Sequence, residues 1–365
     1  MRVLILAPNV FPGISGNAIT VERWRRALTG KGIIVEVLSC QELTASAFMA
    51  CLERFDPNII HVHHAFRAGS VLLHPVVAEK HARFSLVVSP GGTDINVDLE
   101  MPERRDAVVQ VFRMAGAIVT QSSETAEHLL RHMPDLDRRI VHVPKAVCWF
   151  GNEFYDLRKI AGCSDRNVLF FLPAGIRPVK GNLECLMAMQ KVHAIRPHIR
   201  LVVAGPAIDL EYAGHFAREV EKLSAFAVWV PGISPAAMRS AYEASDIVLN
   251  SSFSEGCSNS LLEALASGRP VLASNIPGNL WLVLGDKGDG QTGLLYELSD
   301  VDDFVANAVR LIDDESLRIR FGQAAQFRRS LLPDPEDEAD GLIAAYQKAL
   351  ACRITDRSLG SRRPV

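Results

Sequence analysis

Short strands that are apolar along their whole length alternate with helical segments through most of this chain. The first part contains the runs RVLILA, GIIVEVLS, PNIIHVH, FSLVVS, GAIVTQ and RIVHV. The second contains NVLFFLPA, RLVVAG, FAVWVP, DIVLNS, PVLASN and TGLLYE. Strands that are apolar on both faces are buried on both faces, and intervening helices make the sheet parallel. The sequence therefore predicts an α/β fold.

The alternation stops at residues 151–166, which predicts a linker between two domains, residues 1–150 and 167–330. Beyond a Pro-Asp-Pro break, residues 335–352 carry one apolar helical stripe, formed by Ala339, Leu342, Ile343, Tyr346 and Leu350. That helix could cap its own domain, but we expect it to cross back to the first. The basic tail, 353–365, is expected to be mobile.

Composition limits the partners and the setting. The net charge is −3, so nothing demands nucleic acid, and no apolar run is long enough for a membrane span. The first residues predict a buried strand rather than a signal peptide. Seven scattered cysteines form no C-x-x-C pair, which argues against disulfides or a zinc site. We expect a cytoplasmic protein.

The segment SEGCSNSLLEALASGRP joins the strand DIVLNSS to a helix. The carboxyl ends of parallel strands are where open α/β sheets bind ligands. Small residues at Gly256, Cys257 and Ser258 allow a ligand to approach the backbone. Ser258 or Asn259 is suited to cap the helix. The helix start, which includes Ser260, offers free N–H groups that suit a diphosphate.

Two glutamates flank this helix start. Glu263 lies one turn inside the helix, where a carboxylate can accept two hydrogen bonds from a ribose diol. Glu255 lies in the loop and can accept hydrogen bonds from sugar hydroxyls. The alternative is that Glu255 caps locally and Glu263 is solvated, but the glycine-containing turn and the βαβ setting favour a binding site.

A second loop in the same domain carries two cations. In FLPAGIRPVKGN, Arg177 and Lys180 follow Gly175 at a transition from strand to helix. Cations placed there can neutralise a diphosphate. A solvated basic turn is the alternative, and the anion-binding helix start elsewhere in the domain favours phosphate.

The motifs SEGCSNSLLEALASGRPVLAS and GIRPVKG resemble the donor site of retaining GT-B glycosyltransferases with a Glu-x7-Glu motif (family 4, group 1). The short loops GNAITVERW, HHAFRAG, GGTDIN and SNIPGN look like those of glycosyltransferase-1-domain-containing proteins and selenosugar synthases. The resemblance implies GT-B architecture, two Rossmann-like domains facing a cleft.

The same resemblance implies roles for individual residues. Arg177 and Lys180 would hold the diphosphate, Glu255 the donor sugar and Glu263 the ribose. Backbone around Gly232 and Ile233 would receive the base. It also implies that no metal is needed and that no cofactor is used beyond a nucleotide-diphosphate sugar as co-substrate, for which a UDP-sugar is expected.

Strand exits of the first domain supply acceptor-side candidates. Gly16 and Asn17 open a helix, either as an anion site or with Asn17 as a simple N-cap. In HVHHAFR, a buried place on the strand is expected for His61, and His64 and Arg67 at the exit are the acceptor-side candidates. Asp94 could orient an acceptor hydroxyl or form a local Asx-turn.

Three positions depart from the resembled pattern: Gly91 where a histidine is often found, Lys145 in Pro144-Lys145-Ala146, and Asn279 in a loop that usually carries an acid. The Asp135-Leu136-Asp137 segment imitates a metal-binding D-x-D but predicts solvated surface. Arg23, Arg25 and Arg26 could touch anionic lipid, so peripheral membrane contact is the most we expect, and a solvated helix face is preferred.

The function predicted is retaining, metal-independent transfer of a sugar from a nucleotide-diphosphate sugar to an unidentified acceptor. Two alternatives stay open. One is a sugar-nucleotide epimerase on the same fold, which would release nucleotide without an added acceptor. The other is a non-catalytic protein that binds a nucleotide sugar, which the altered acceptor loops would suit.

Overall fold

A computed structural model describes residues 1–81, 83–285 and 290–360. These residues divide into two compact domains. The first comprises Met1–Cys148 together with the chain from Pro333 onward, and the second is Trp149–Leu332. No helix in the described ranges is long and apolar enough to span a bilayer.

The strands follow each other at short intervals along both domains. Their bounds are β1 Arg2–Ala7, β2 Ile34–Ser39, β3 Ile59–His63, β4 Ser85–Ser89, β5 Ala117–Thr120, β6 Ile140–His142, β7 Val168–Pro173, β8 Ile199–Ala204, β9 Ala227–Val230, β10 Ile247–Asn250, β11 Val271–Ser274 and β12 Gly293–Tyr296. In the described part of the chain they form two six-stranded parallel sheets, ordered β2-β1-β3-β4-β5-β6 and β12-β11-β10-β7-β8-β9.

Helices connect successive strands and cover both faces of each sheet. Their bounds are α1 Gly16–Gly30, α2 Ala45–Phe55, α3 Pro75–His81, α4 Pro102–Met114, α5 Ser123–His132, α6 Leu157–Ile160, α7 Asn182–Ile195, α8 Leu210–Lys222, α9 Met238–Ala244, α10 Asn259–Ala266, α11 Pro277–Leu284, α12 Val301–Asp313, α13 Glu315–Leu331 and α14 Pro335–Gly360. The predicted α/β class is confirmed by this arrangement.

Strand β1 shows how the apolar runs fill two cores at once. Leu4 and Leu6 enter the core on one face of the first sheet, and Val3 and Ile5 enter the core on the other. Successive side chains of a strand point to opposite faces, so only a run that is apolar at every position can do this.

Helix α14 covers one of these faces. Its buried residues Ala339, Leu342 and Tyr346 belong to the same core as Val3 and Ile5 of β1. The helix that follows the second domain in sequence therefore packs on the first. It begins at Pro335, as its apolar stripe indicates, but it continues to Gly360 instead of ending at residue 352. The rest of the expected mobile tail lies outside the described residues.

The segment 151–166, which the sequence predicts as a linker, lies inside the second domain. The N–H of Glu153 donates to the carbonyl of Ala236 at 2.9 Å, and that of Tyr155 donates to Ser240 Oγ at 3.0 Å. Arg158 in α6 bonds Asp246 just before β10 at 3.0 Å. Apart from the single turn of α6, these bonds hold the segment to its domain without a helical or strand period, which is why the alternation stops there.

Candidate functional site

The two motif-bearing loops of the second domain lie at one edge of its sheet. One loop follows β7 and contains Arg177 and Lys180, and the other follows β10 and contains Glu255. Strands β7 and β10 are neighbouring parallel strands, so their carboxyl ends meet at the same edge. That edge is the ligand-binding edge of open α/β sheets.

Lys180 and Glu255 meet directly across this edge. Lys180 Nζ donates to Glu255 Oε1 at 2.5 Å. The same oxygen accepts from Ser252 Oγ at 2.7 Å and from Asn250 Nδ2 at 3.5 Å. Burial alone would raise the pKa of the Glu255 carboxyl, but Lys180 and these two hydrogen bonds outweigh it, so the pKa is lowered. Glu255 is therefore a half-buried, ionised carboxylate.

Backbone contacts fix the two loops to each other. Ser251 Oγ donates to the carbonyl of Lys180 at 2.8 Å, and the N–H of Phe253 donates to the carbonyl of Val179 at 2.9 Å. Between the 3₁₀ turn Pro178–Lys180 and α7, Gly181 has φ +59°, and a Cβ there would lie 2.3 Å from the Ser251 carbonyl oxygen. Only glycine fits this approach.

A buried amide network supports the loop beneath Glu255. Asn250, the last residue of β10, donates through Nδ2 to Ser258 Oγ at 2.9 Å and to Ser260 Oγ at 3.3 Å. Asn279 Nδ2 donates to Asn250 Oδ1 at 3.2 Å and is fully buried. Asn279, one of the departures from the resembled pattern, thus belongs to the framework that positions the Glu255 loop.

The start of α10 differs in detail from the predicted cap. Ser258 occupies the N-cap position, but its hydroxyl makes no capping hydrogen bond and bonds Asn250 and Ser260 instead. Asn259 is the first helical residue. Gly256 and Cys257 are half-buried in the loop that precedes the helix. Because the Ser258 hydroxyl bonds elsewhere, the first N–H groups of α10 are available to other acceptors.

Glu263 is half-buried one turn inside α10. Its carboxylate lies near the hydroxyl of Tyr242, a fully buried residue of α9. Burial first, and then the Glu263 charge, raise the pKa of Tyr242 well above its ordinary value. Glu263, to which the sequence analysis assigns the ribose, therefore lies beside a buried protein hydroxyl.

The remaining donor-side candidates lie at other strand exits of the same sheet. Gly175 follows β7, and a Cβ there would lie 2.9 Å from Ile208 Cγ1 in the loop after β8. Gly232 and Ile233 follow β9, which ends the sheet order β7-β8-β9. Ile233 is buried and Gly232 is half-buried. These positions share the edge at which Lys180 meets Glu255.

In the first domain, α1 begins at Gly16 and is capped by Ser15, whose Oγ accepts from the N–H of Ala18 at 3.3 Å. The alternative that Asn17 is the N-cap is wrong, because Asn17 is the second helical residue. Gly16 is exposed and Asn17 half-buried at this helix start.

His64 is buried and has its backbone in the left-handed region, with φ 85°. Its Nδ1 accepts from the N–H of Arg67 at 3.1 Å, and its Nε2 bonds Thr93 Oγ1 at 2.9 Å. A Cβ at Gly91 would lie 2.8 Å from the His64 ring, so the ring occupies the space that a side chain at Gly91 would need. Arg67 is exposed beside it.

Asp94 is fully buried, and backbone N–H groups surround its carboxylate. Oδ2 accepts from Ala65 at 2.7 Å, and Oδ1 accepts from Gly91 at 3.0 Å and from Ile95 at 3.2 Å. These bonds fix the loop after β4 to the loop after β3. The carboxylate is thus committed to holding loops, which favours the local structural account of Asp94 over direct contact with an acceptor.

The expectation of a solvated face on α1 is corrected for Arg23 only, since Arg25 is half-buried and Arg26 is exposed. Arg23 is buried and bonds Glu338 of α14 through Nε at 2.6 Å and through Nη2 at 2.9 Å. Arg25 and Arg26 both bond Glu22. The sequence could not reveal this, because the partner of Arg23 lies over 300 positions away along the chain. Asp135 lies in an exposed turn beside Arg113, which agrees with the prediction that the Asp135-Leu136-Asp137 segment is solvated surface.

Asn250 and Ser252 are site residues that the sequence analysis missed. Each is a single polar residue at a strand end, so neither carries a spacing signal. The one available hint is their place in DIVLNSS, directly before the Glu255 loop.

Comparisons with known proteins agree with this geometry. Residues 165–314 match the model of the family described as glycosyl transferases group 1. The chain is 25% identical over 328 residues to glycosyltransferase 1 domain-containing protein 1 of Xenopus tropicalis, with coverage of 88% of this chain and 90% of that one.

Solved structures with the same fold include sucrose-phosphate synthase from Thermosynechococcus elongatus, with TM-score 0.77, 16% identity and coverage of 96% and 99% of the two chains. Anabaena HepE, in complex with UDP and glucose, aligns with TM-score 0.76, 16% identity and coverage of 95% and 99%. The expected GT-B fold is confirmed by these neighbours and by the two parallel sheets.

Proposed function

We propose that this protein transfers a sugar from a nucleotide-diphosphate sugar to an acceptor, with retention of configuration. The match of residues 165–314 to the model of glycosyl transferases group 1 supports sugar transfer, and the GT-B fold is consistent with it. The observation that carries the donor assignment is the Lys180–Glu255 ion pair, which joins the two motif-bearing loops at the carboxyl edge of the second sheet.

Lys180 and Arg177 would neutralise the donor diphosphate, together with the N–H groups at the start of α10. Glu255, kept ionised by its surroundings, would accept hydrogen bonds from the sugar hydroxyls. Donor binding would then exchange the direct Lys180–Glu255 contact for contacts to diphosphate and sugar. Each charge keeps a polar partner throughout, so neither is left buried and unpaired.

Bond cleavage places growing negative charge on the leaving nucleoside diphosphate. Preorganised cations at that position stabilise the transition state more than the ground state. With donor bound, Glu255 would stay anchored by Ser252 and Asn250 and accept hydrogen bonds from the sugar hydroxyls, and no other carboxylate of this edge is assigned the role of covalent nucleophile. We therefore propose attack on the same face that the diphosphate leaves, assisted by the leaving phosphate.

The nucleoside would be held by Glu263 at the ribose and by the backbone at Gly232 and Ile233 at the base. UDP is the first nucleotide to test, since HepE, which shares the fold, was solved with UDP. Arg177 and Lys180 supply the positive charge that a divalent ion would otherwise bring to a diphosphate. We expect the transfer rate to change by less than about twofold when a chelator removes divalent metal, and a larger loss restored by magnesium would contradict this electrostatic account.

On the acceptor side we propose that Gly16, Asn17 and Arg67 face the incoming group. His64 and Asp94 would act on it indirectly, because their ring and carboxylate hold the loops that follow β3 and β4. The seven cysteines are scattered along the chain and form no C-x-x-C pair, which supports a reducing, cytoplasmic setting for the reaction.

Thermal unfolding with a panel of nucleotide sugars tests the proposal. One donor class should raise the melting temperature of the wild-type protein, and Lys180→Ala should reduce that shift only in part, because its charge acts chiefly as the sugar bond breaks. Lys191→Ala, which removes an exposed lysine of α7, is the matched control and should keep it. If no nucleotide sugar stabilises the protein, the donor assignment is wrong.

Turnover then separates the two alternatives from transfer. A non-catalytic binding protein, which the loop-holding role of Asp94 would suit, shows the thermal shift but no release of nucleoside diphosphate over hours. An epimerase releases nucleotide together with a changed sugar. The proposed transferase hydrolyses its donor slowly, with the sugar unchanged, and turns over faster once a true acceptor is added.

A further inference from the structure

A cluster of ligand-type side chains on the first domain takes no part in the chemistry proposed above. Glu100 follows the turn Asp94–Asp98, and His128 and His132 lie on α5. One ligand atom from each of the three lies within 4.8 Å of the other two. His132 Nε2 is 3.2 Å from Glu100 Oε1.

Helix geometry brings the two histidines together. Positions 128 and 132 are four residues apart and therefore share a face of α5. Their rings stack with centroids 5.3 Å apart and planes 26° from parallel. Ser122 caps the helix through its Oγ, which accepts from the N–H of Thr125 at 3.2 Å. This bond stabilises the N-terminus of the helix that carries both rings.

An ion pair between Glu100 and His132 explains only part of this cluster. It accounts for the contact between one carboxylate and one imidazole, but it does not account for the second imidazole, which stacks on the first. Two imidazoles and a carboxylate within reach of one point are a common zinc ligand set, and a water molecule completes the tetrahedron.

We propose that Glu100, His128 and His132 bind one divalent ion of the zinc class. Imidazole nitrogen and carboxylate oxygen suit Zn²⁺, whereas Mg²⁺ and Ca²⁺ prefer oxygen ligands alone. Both histidines are half-buried, with the His132 side chain 23% exposed, while the Glu100 side chain is 59% exposed. An ion can therefore enter from solvent, and Glu100 can close over it with little rearrangement.

Such an ion would cross-link α5 to the segment that precedes α4. Helix α5 already packs against the turn Asp94–Asp98, whose first residue holds the loops after β3 and β4. The bound ion would stabilise these loops of the first domain. This role is structural, so it is consistent with the proposal that sugar transfer itself needs no metal.

The test uses full-length protein without a polyhistidine tag, metal-stripped and titrated with Zn²⁺ by calorimetry. We expect one equivalent to bind and the melting temperature to rise by roughly 5 °C when Zn²⁺ exceeds its dissociation constant about 100-fold. His128→Gln and His132→Gln should each weaken binding at least about tenfold, and Glu100→Gln should weaken it less. His215→Asn, at an exposed histidine of α8, is the control and should bind as wild type does.

Cobalt distinguishes this site from the cysteine thiols. Co²⁺ bound to imidazole and carboxylate shows no thiolate charge-transfer band, whereas ligation by cysteine does. One equivalent of Co²⁺ without that band, lost in the His128→Gln/His132→Gln double variant, supports the proposal. Unchanged Zn²⁺ affinity in that variant, or a thiolate band in the wild-type protein, would overturn it.

Discussion

The ammonium group of Lys180 bonds a carboxylate in the structure and would bond the diphosphate in the proposed reaction. It bonds Glu255 at 2.5 Å, and the donor diphosphate would compete for it. We predict that Lys180→Ala lowers kcat by about 10²–10³-fold and raises KM much less, because the charge it opposes grows as the sugar bond breaks. Arg177→Lys should also lower kcat, since a point charge does not reproduce a planar pair of donors.

Steady-state kinetics with the stabilising donor measure this split. The control is Lys191→Ala, which should leave both constants unchanged. A rise in KM with kcat intact would mean that the two cations bind only ground-state donor. Because Lys180→Ala also leaves Glu255 without its cation, a Lys180→Met/Glu255→Gln double variant should recover folding stability but not turnover.

Glu263 provides a second prediction at the residue scale. Glu263→Ala should weaken binding of the nucleoside diphosphate by about 1.5–3 kcal/mol, the usual loss for a hydrogen bond to a charged group. Tyr242→Phe keeps the carboxylate and removes the hydroxyl near it, so it should bind nucleotide as the wild-type protein does. Calorimetry on both variants tests whether Glu263 binds the nucleotide directly. Equal loss of nucleotide affinity in both variants would show that Glu263 acts by positioning α9.

The sequence predicts the charged members of the donor site but not what holds them. Arg177, Lys180, Glu255 and Glu263 follow from motifs at the ends of strands. Asn250 and Ser252, which position Glu255 from five and three residues before it, show no pattern, because each is a single polar residue whose bond depends on the path of the loop. The inward carboxylate of Asp94 is hidden for a different reason: its donors come from two separate loops.

At the scale of elements, α14 is fixed to the first domain by charge as well as by apolar packing. Glu338 accepts from Arg23, from Trp24 Nε1 at 2.7 Å and from Gln121 Nε2 at 3.1 Å. The Arg23 and Glu338 side chains are 3% and 1% exposed. The sequence predicts the apolar stripe of this helix. It does not predict the buried Arg23–Glu338 ion pair, because charged helix residues are usually solvated.

Glu338→Gln should therefore destabilise the protein by about 3–5 kcal/mol, because it leaves the Arg23 charge buried without a counter-charge. Glu336→Gln, at an exposed position two residues earlier in α14, should change stability by less than about 0.5 kcal/mol. Urea denaturation followed by tryptophan fluorescence compares the two. Equal stabilities would show that the pair contributes nothing to the attachment of α14.

A chain of buried groups under α14 predicts a pH dependence. His61 bonds Tyr346 OH at 2.9 Å and Ser89 Oγ at 3.0 Å, and His63 also bonds Ser89 Oγ. Burial lowers the pKa of His61 to about 3 and holds that of His63 well below its ordinary value, where His61, His64, Lys145 and Arg23 also oppose protonation. Both histidines are neutral in the fold, and the unfolded chain takes up protons first.

Folding stability should therefore fall as the pH drops below about 6.5, by about 1.4 kcal/mol per unit for each histidine, and the loss should continue toward pH 3. Urea midpoints measured between pH 7 and 5 avoid most carboxylate titration. His61→Gln should show a shallower slope than the wild-type protein, and His215→Asn should keep the wild-type slope. Identical slopes in all three would rule out His61 as the titrating group.

At the scale of the whole molecule, the two parallel sheets are predictable because their strands are apolar at every position. The domain boundary is less so. Residues 151–166 lack a period and were predicted as a linker, yet backbone bonds such as that from Glu153 to Ala236 place them in the second domain. His128 and His132 were not singled out in the sequence analysis, and Glu100 lies beside them only through the packing of α5.

The stereochemistry of donor hydrolysis tests the central claim most directly. The protein is incubated with the UDP-sugar that stabilises it best, and the first sugar released is assigned by proton NMR before it mutarotates. The account predicts that an α-linked donor releases the α-anomer, at a rate that Lys180→Ala reduces at least about 100-fold. Release of the β-anomer first, or an undiminished rate in Lys180→Ala, would contradict it.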